Sequence, residues 1–263
     1  MCDFHLALAQ APSDLTSKSA RLKWLEAQLP DIAANGTDLV LLPELFACGY
    51  GIGDQIHSSA EPRGGKTAQA LACLARQFSI ATHSGYVERD GDMLYNSASC
   101  IGPDGGELVH QRKLAIPPGF ERDYFSAGQG CNLFTCKGFK IATLICYDDE
   151  FAETVRHVAA QGADLVLVPT ALGADWDWVA EKVMPTRAFE NGIFFAYANG
   201  VETQGEMTFL GKSVIAGPSG TEPSRAGSDP EILHAALDLP LVAKAQSRLP
   251  YLADPGWLKL DCQ

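Results

Sequence analysis

Two segments of the chain share one pattern, and this repeat constrains the fold more than any other feature of the sequence. Residues 33–43 and residues 159–169 each contain a helix end, a glycine, an aspartate, an apolar strand and a closing proline. Strands that are apolar throughout are typical of sheets covered on both faces. The repeat predicts two similar halves packed as a layered α/β sandwich, although a helix-Gly-Asp-strand junction is also common in unrelated α/β proteins.

The first half of the chain alternates between strand and helix patterns. Apolar residues alternate at period two over residues 4–8, which predicts a strand with one buried face. They recur at helical spacing over residues 15–29 and 71–78, which predicts two amphipathic helices. Asp90 and Gly91 lie between two strand patterns and indicate a hairpin.

The second half follows the same alternation. Residues 139–145 predict a buried strand, and residues 151–159 predict a helix that stops at Gly162. No long Pro/Ser-rich linker divides the chain, so we expect residues 1–263 to form one domain. The segment Pro240–Gln263 is rich in proline and predicts an irregular tail from about residue 240, of the kind that docks on a partner subunit.

Composition excludes several classes of partner. The formal net charge is −12, so nucleic acid and anionic membranes would be repelled. The N-terminus has neither a basic region nor a long apolar region, and no apolar run approaches the roughly 20 residues needed to span a bilayer. The eight cysteines are scattered rather than arranged as a disulfide framework, which favours reduced thiols in the cytoplasm.

Two strand ends carry side chains suited to catalysis. Cys146 follows an apolar strand and precedes a helix, and α/β proteins place ligands at this edge of a sheet. Glu44 stands at the end of the strand in the first copy of the repeat, between apolar neighbours that should raise its pKa towards that of a general base. Taken singly, each residue is also compatible with an ordinary structural role.

A lysine could complete the set. Lys113 is an isolated cation before an apolar, proline-stopped segment, and an ammonium can stabilise a developing oxyanion. Glu121 could orient this ammonium or pair with Arg122 instead. A carboxylate, an ammonium and a thiol at strand ends are the groups that acyl transfer requires, without a histidine.

Further residues could form the walls of a substrate pocket. Tyr50 lies in a glycine-rich loop near Glu44, and Trp176 follows the strand that ends at Thr170, on the same edge as Cys146. Core or dimer packing would explain the aromatic residues equally well. The histidines and the remaining cysteines lack metal-ligand spacing, so we expect no metal and no cofactor.

Three segments resemble the signature blocks of the nitrilase, or carbon–nitrogen hydrolase, superfamily. They are Leu41–Phe46, Arg112–Leu114 and Leu144–Phe151, in the order and at the spacing typical of that family. Shorter matches extend the resemblance through most of the chain, including residues 95–98, 125–128, 187–191, 197–199 and 211–220. Each piece alone is weak evidence, whereas the ordered set is strong.

The resemblance implies a fold, a set of roles and an assembly. The fold would be a four-layer α-β-β-α sandwich that pairs across a homodimer, or within a higher homo-oligomer, into αββα-αββα. Glu44 would be the base, Lys113 the transition-state stabiliser, Cys146 the nucleophile and Glu121 a second carboxylate. The backbone N–H of Tyr147 would join the lysine at the oxyanion.

These residues predict a hydrolase that cleaves small amides or N-carbamoyl compounds through a cysteine thioester. A nitrilase acting on a C≡N bond is one alternative, but nitrilases of this superfamily usually carry Trp-Glu after the nucleophile, where this chain has Tyr147-Asp148. A non-catalytic binding or scaffold protein on the same fold is the other. The substrate itself is not specified, since ω-amides of dicarboxylic acids, N-carbamoyl amines and simple aliphatic or aromatic amides all fit.

Overall fold

The strands form two six-stranded sheets and a separate two-stranded ribbon, Val201–Gln204 with Met207–Leu210, in a computed structural model that describes residues 3–254. Helices cover the outer faces of the two large sheets. The strands are β1 (Phe4–Gln10), β2 (Leu39–Leu41), β3 (Ala81–Asp90), β4 (Met93–Ile101), β5 (Glu107–Arg112), β6 (Leu133–Cys136), β7 (Phe139–Thr143), β8 (Leu165–Pro169), β9 (Phe194–Ala198), β10 (Val201–Gln204), β11 (Met207–Leu210), β12 (Val214–Ala216), β13 (Ser224–Arg225) and β14 (Glu231–Leu237). The α-helices are α1 (Lys18–Ala34), α2 (Gln55–Ser59), α3 (Lys66–Phe78), α4 (Glu121–Tyr124), α5 (Ala152–Ala160), α6 (Met184–Asn191) and α7 (Pro240–Arg248).

The two sheets have the same strand arrangement. Sheet 1 has the order β14-β1-β2-β3-β4-β5, and sheet 2 has the order β6-β7-β8-β9-β12-β13. In each order the successive pairings are antiparallel, parallel, parallel, antiparallel and antiparallel. The two copies of the sequence repeat supply β2 and β8, which occupy the same position in their sheets. This correspondence supports two similar halves over a chance likeness of two αβ junctions.

Packing of the two sheets produces four layers. Helices α1 and α3 cover the outer face of sheet 1, and α5 and α6 cover that of sheet 2. The inner faces meet directly: the rings of Phe4 and Phe139 lie 5.2 Å apart, and His83 Nε2 lies 2.9 Å from Thr143 Oγ1. The chain therefore has the predicted α-β-β-α sandwich.

The apolar repeat strands are explained by these layers. Leu39 and Leu41 of β2 pack between the sheets, while Val40 points to the helical layer of α1 and α3. All three side chains are fully buried. A strand with helices on one face and a second sheet on the other has no solvent-facing positions, so it carries no polar alternation.

Two boundaries differ from the sequence predictions. Helix α1 begins at Lys18 rather than near residue 15, because the side chain of Ser17 caps it by accepting a hydrogen bond from the Ala20 N–H. The prediction of an irregular tail from about residue 240 is wrong over Pro240–Arg248, which form α7. Proline is compatible with the first turn of a helix, and the buried Val242 anchors this one to the core.

The rest of the predicted tail, residues 255–263, lies outside the described residues. Across residues 3–254, no helix is both long and apolar enough to cross a membrane.

Candidate active site

The Glu44 turn is pressed closely against sheet 1. Glu44 follows Pro43 shortly after the end of β2, and the next residue, Leu45, has a left-handed φ of +48°. A Cβ atom on Gly85 of β3 would lie only 2.4 Å from the Leu45 nitrogen. The absence of a side chain at Gly85 therefore lets the turn approach the strand, and this close packing fixes the position of the Glu44 carboxylate.

The Cys146 turn is strained in the same way. β7 ends at Thr143, and Cys146 begins a 3₁₀ turn that runs to Glu150. Cys146 has a φ of +47°, which a non-glycine residue adopts at a cost of about 1–3 kcal/mol when the surroundings enforce it. A left-handed residue at the carboxyl edge of a sheet is typical of a side chain that is held for a function.

Asp148 is the group that enforces the geometry of this turn. Its Oδ2 accepts a hydrogen bond from the Ile145 N–H at 3.0 Å, and its Oδ1 accepts from the N–H groups of Leu114 and Ala115 at 2.9 and 2.7 Å. The carboxylate thus joins the Cys146 turn to the segment that follows Lys113. Burial raises the pKa of Asp148 to about 6, although the three N–H donors favour its charged form.

Lys113 lies at the centre of the site, just past the end of β5, with its side chain fully buried. Its Nζ donates one hydrogen bond to Glu44 Oε1 and another to Glu121 Oε1, each at 2.7 Å. Asn96 Nδ2 donates to the same two carboxylates, at 2.7 Å to Glu44 Oε1 and 3.2 Å to Glu121 Oε2. An ammonium has three protons, so Lys113 keeps one donor beyond the two carboxylates.

Glu121 is tied to this group from a second side as well. The hydroxyl of Tyr50 donates to Glu121 Oε1 at 2.5 Å. Arg122 does not pair with it, since its Nε donates to the backbone oxygen of Ile116 instead. Of the two sequence interpretations of Glu121, the structure agrees with the one in which it orients the Lys113 ammonium.

Burial sets the protonation of these groups. It raises the pKa of Glu44 to about 7, against the lowering effect of Lys113. It also raises the pKa of the Cys146 thiol well above its usual value, as does the charge of Glu44, while Lys113 opposes both. Burial works to lower the pKa of the Lys113 ammonium, but the charges of Glu44 and Glu121 together hold that pKa above its ordinary value. Near pH 7, the Cys146 thiol is therefore neutral, Lys113 is an ammonium, and the pKa of Glu44 lies close to the ambient pH.

One oxygen of Glu44 has no partner. Its Oε2 is buried and makes no hydrogen bond within residues 3–254, whereas Oε1 accepts from both Lys113 and Asn96. A buried carboxylate oxygen without a donor is unusual in folded proteins and calls for an explanation. Chemically, it leaves this carboxylate one oxygen with which to accept a proton.

A cleft of about 510 Å³ opens onto Cys146. Tyr50, Tyr147 and Trp176 line it, and Trp176 is the most exposed of the three, with 62% of its surface accessible. Thr170 does not line the cleft. It is fully buried, and its hydroxyl donates to the Tyr197 hydroxyl at 3.2 Å. Its predicted contact with a substrate stays a prediction, since the residues that follow it, Ala171 and Leu172, line the cleft instead.

Within the described part of the chain, no group of three or more His, Cys, Asp or Glu side chains is placed to hold a metal ion. The site instead offers an acyl-transfer arrangement, with a thiol, an adjacent carboxylate that can accept a proton and a fixed ammonium.

Asn96 and Asp148 are the site residues whose roles the sequence did not reveal. Asn96 was visible only as part of the Tyr95–Ala98 match, and Asp148 as an ordinary acid near a helix N-terminus. An amide within the strand pattern of β4 was the available signal for Asn96, because a buried amide needs partners.

The chain is similar to known hydrolases over nearly its whole length. A hydrolase encoded in the pqqF 5' region of Pseudomonas protegens is 35% identical over 256 residues, which cover 95% of this chain and 88% of that protein. The omega-amidase NIT2 of Danio rerio is 31% identical, with 95% and 94% covered.

A solved structure extends the comparison to chemistry. In a glutamate-to-glutamine mutant of the amidase from Nesterenkonia sp. AN1, the acetamide moiety of fluoroacetamide is covalently added at the active site cysteine. That structure is 30% identical to this chain, with a TM-score of 0.86 and coverage of 98% of this chain and 97% of that one. The same amidase is a member of the nitrilase superfamily.

The family model for carbon–nitrogen hydrolases matches residues 5–247, nearly the whole of the described chain. The fold, the relatives and this match agree, and the chain belongs to the carbon–nitrogen hydrolase family, as an enzyme with the fold of the nitrilase-superfamily amidases.

Proposed function

We propose that the protein is an amidase that hydrolyses small amides or N-carbamoyl compounds through a thioester on Cys146. The observation that carries the proposal is the grouping around Lys113, in which two carboxylates fix the ammonium beside a strained cysteine at the base of an apolar cleft. Glu44 is near enough to Cys146 for its charge to raise the pKa of the thiol.

In the first half-reaction, Glu44 takes the thiol proton and Cys146 Sγ attacks the carbonyl carbon. The carbonyl oxygen becomes an oxyanion, which the remaining Lys113 donor and the backbone N–H of Tyr147 stabilise. The C–N bond then breaks as Glu44 gives its proton to the leaving nitrogen. Ammonia or an amine departs, and the acyl group stays on sulfur as a thioester.

In the second half-reaction, Glu44 takes a proton from water and the resulting hydroxide attacks the thioester carbon. The C–S bond breaks, Glu44 returns its proton to the sulfur, and a carboxylic or carbamic acid is released. A group that alternates between base and acid works best with a pKa near the working pH, and Glu44 meets this requirement with a pKa of about 7.

Glu121 and Tyr50 have a supporting part in this scheme. Glu121 accepts a second hydrogen bond from the Lys113 ammonium, and the Tyr50 hydroxyl fixes Glu121 in turn. Neither group has to exchange a proton, since the Lys113 ammonium stays charged throughout. Both residues therefore position the lysine rather than react.

The test is ammonia release from a panel of amides, N-carbamoyl compounds and nitriles, with Cys146→Ala and Cys48→Ala side by side. Cys48 is also a buried thiol but lies outside the cleft, so its variant controls for loss of a core cysteine. We expect amide or carbamoyl turnover that only Cys146→Ala abolishes, and a thioester-sized mass increase on the protein after rapid acid quench.

Other outcomes point to the alternatives. Turnover of nitriles alone would make the protein a nitrilase. Silence across the panel, together with no selective alkylation of Cys146 by iodoacetamide, would favour a non-catalytic binding protein on the same fold.

We also propose that the enzyme is a cytoplasmic homodimer that binds neither nucleic acid nor membrane. The six cysteines within residues 3–254 are all unpaired. On the α5 and α6 side, Phe151, Phe189 and Tyr251 are each more than a third exposed, and the last two rings lie 6.1 Å apart. A second copy of the chain would cover these aromatics, and sedimentation velocity would show a monomer if it does not.

A further inference from the structure

The wall of the cleft carries a single charge. The described residues that line it are aromatic, aliphatic, methionine, proline, glycine or cysteine, with one exception, Glu150. No lysine, arginine or histidine is among them. Glu150 closes the 3₁₀ turn that Cys146 begins, so its side chain is held on the same rigid segment as the nucleophile.

No cation within residues 3–254 neutralises the Glu150 carboxylate. Arg187 is one candidate, but its Nη2 donates to the backbone oxygen of Glu150 at 2.7 Å and its Nη1 pairs with Glu190 Oε1 at 2.8 Å. Lys113 is held by its two carboxylates deeper in the site. The side chain of Glu150 therefore faces the cleft half-buried and unpaired.

An unpaired acid in an apolar wall favours one charge in the substrate. Burial raises the pKa of Glu150, with Lys113 and Arg187 opposing, which shows that its charged form is incompletely stabilised by the protein itself. A ligand cation would supply the missing partner, whereas a ligand carboxylate would meet both an apolar wall and a like charge.

We propose that the cleft selects amides whose apolar acyl chain carries a cationic group, such as an ammonium, which pairs with Glu150. Amides whose acyl chain carries a carboxylate are rejected. This inference rests on the proposed amidase function and refines it. Among the substrates compatible with the sequence, it disfavours the ω-amides of dicarboxylic acids.

A matched series of substrates tests the selection. Hexanamide, 5-aminopentanamide and the monoamide of adipic acid present the same four-methylene tether with a methyl, an ammonium or a carboxylate at its end. We expect kcat/KM to be about tenfold higher for the ammonium than for the methyl compound, and lower again for the carboxylate. The difference should reside mainly in KM, because the charge contact is the same in the ground and transition states.

Two variants assign the selection to one residue. Glu150→Gln should reduce the ammonium-to-methyl ratio of kcat/KM by about tenfold and raise the carboxylate-to-methyl ratio. Glu153→Gln removes the same charge three residues later, from the exposed face of α5, and should leave both ratios unchanged. Equal ratios in wild type and Glu150→Gln, or a wild-type preference for the carboxylate, would overturn the inference.

Alkylation of Cys146 separates failure of this inference from failure of the proposed function, because it requires no turnover. The probes are iodoacetamide, iodoacetate and 2-bromoethylammonium, with the rate of each compared between wild type and Glu150→Gln. A loss of preference for the cationic probe in the variant supports charge selection even if no amide is hydrolysed. Turnover of amides with no change in the probe preference refutes the role of Glu150 and leaves the amidase proposal standing.

Discussion

Asn96 should set the pH range in which the enzyme works. Its Nδ2 donates to Glu44 Oε1 at 2.7 Å, and this hydrogen bond favours the charged carboxylate. Replacing it by leucine keeps a side chain of similar size but removes the donor. A hydrogen bond to a buried charged group contributes about 1.5–3 kcal/mol, and 1.36 kcal/mol corresponds to one pKa unit. The pKa of Glu44 should therefore rise by about 1–2 units in Asn96→Leu.

The sign of the effect follows from the role of Glu44. As a base, Glu44 must be deprotonated in the free enzyme. The kcat/KM of the wild type should therefore rise with pH through a midpoint at about 7, the pKa of Glu44, and level off above it. In Asn96→Leu this limb should move to about pH 8–9, which reduces kcat/KM at pH 7 by about 5- to 50-fold while most of it returns above the new midpoint. Glu121 keeps its bonds from Lys113 and Tyr50, so the ammonium stays in place.

The assay is a pH profile of ammonia release between pH 5 and 10 for wild type, Asn96→Leu and Ser97→Ala. Ser97 is the next residue of β4, and its hydroxyl also bonds a buried carboxylate, that of Glu88, at 2.6 Å but outside the site. The control should keep the wild-type midpoint. A uniform loss of activity in Asn96→Leu with an unmoved midpoint would refute the reasoning, since it would show that Asn96 positions the site without tuning the carboxylate.

Three further predictions concern stability and positioning. Lys113→Met leaves two buried carboxylates without their cation. It should lower the free energy of unfolding, measured by urea denaturation, by about 3–5 kcal/mol at pH 8 and by less at pH 6. An unchanged free energy of unfolding would contradict the buried pairing. Burial works to raise the pKa of Glu88, but hydrogen bonds from its neighbours outweigh it and hold that pKa well below its ordinary value, so the stabilisation is complete above about pH 4.5 and is lost as the pH falls further. The wild type should thus lose stability more steeply below that pH than Glu88→Gln, and parallel curves would contradict this. Gly85→Ala would place its Cβ 2.4 Å from Leu45 N and should lower kcat by about 100-fold with little change in overall fold by circular dichroism, whereas Gly227→Ala, which meets nothing within 4 Å, should retain full activity.

The sequence predicted the parts of the site that depend on strand ends. Glu44 and Cys146 each follow an apolar strand, and α/β proteins place ligands at the carboxyl ends of such strands, so both residues could be recognised as candidates from the pattern. Their strands, β2 and β7, belong to different sheets, so the proximity of the two side chains comes from the packing of the sheets. A layered α/β sandwich was equally predictable, because strands without polar alternation need cover on both faces, whereas the four-layer arrangement came from the family resemblance.

What the sequence could not show is which loops meet across the sheets. Asn96 reaches the site from the middle of a hairpin, and Tyr50 reaches it from a glycine-rich loop, so their contacts with Glu121 depend on the final packing. The same holds for Asp148, two of whose three partners are backbone N–H groups more than 30 residues away. Periodicity describes local burial and carries no information on such pairs. Helix α7 was missed because its proline was interpreted as a break rather than as a first-turn residue.

The position of β14 at the edge of sheet 1 has a consequence for the chain while it is being synthesised. β14 pairs with β1 along its full length, from Phe4 with Leu237 to Gln10 with Glu231. The other five strands of sheet 1 have all been translated by residue 112, so the outer edge of β1 waits for its partner while the whole of sheet 2 leaves the ribosome. During that interval its backbone N–H and C=O groups form an open template for intermolecular pairing. The nascent chain is thus most prone to self-association late in translation, and the pairing that ends this period also completes the sheet on which Glu44 is carried.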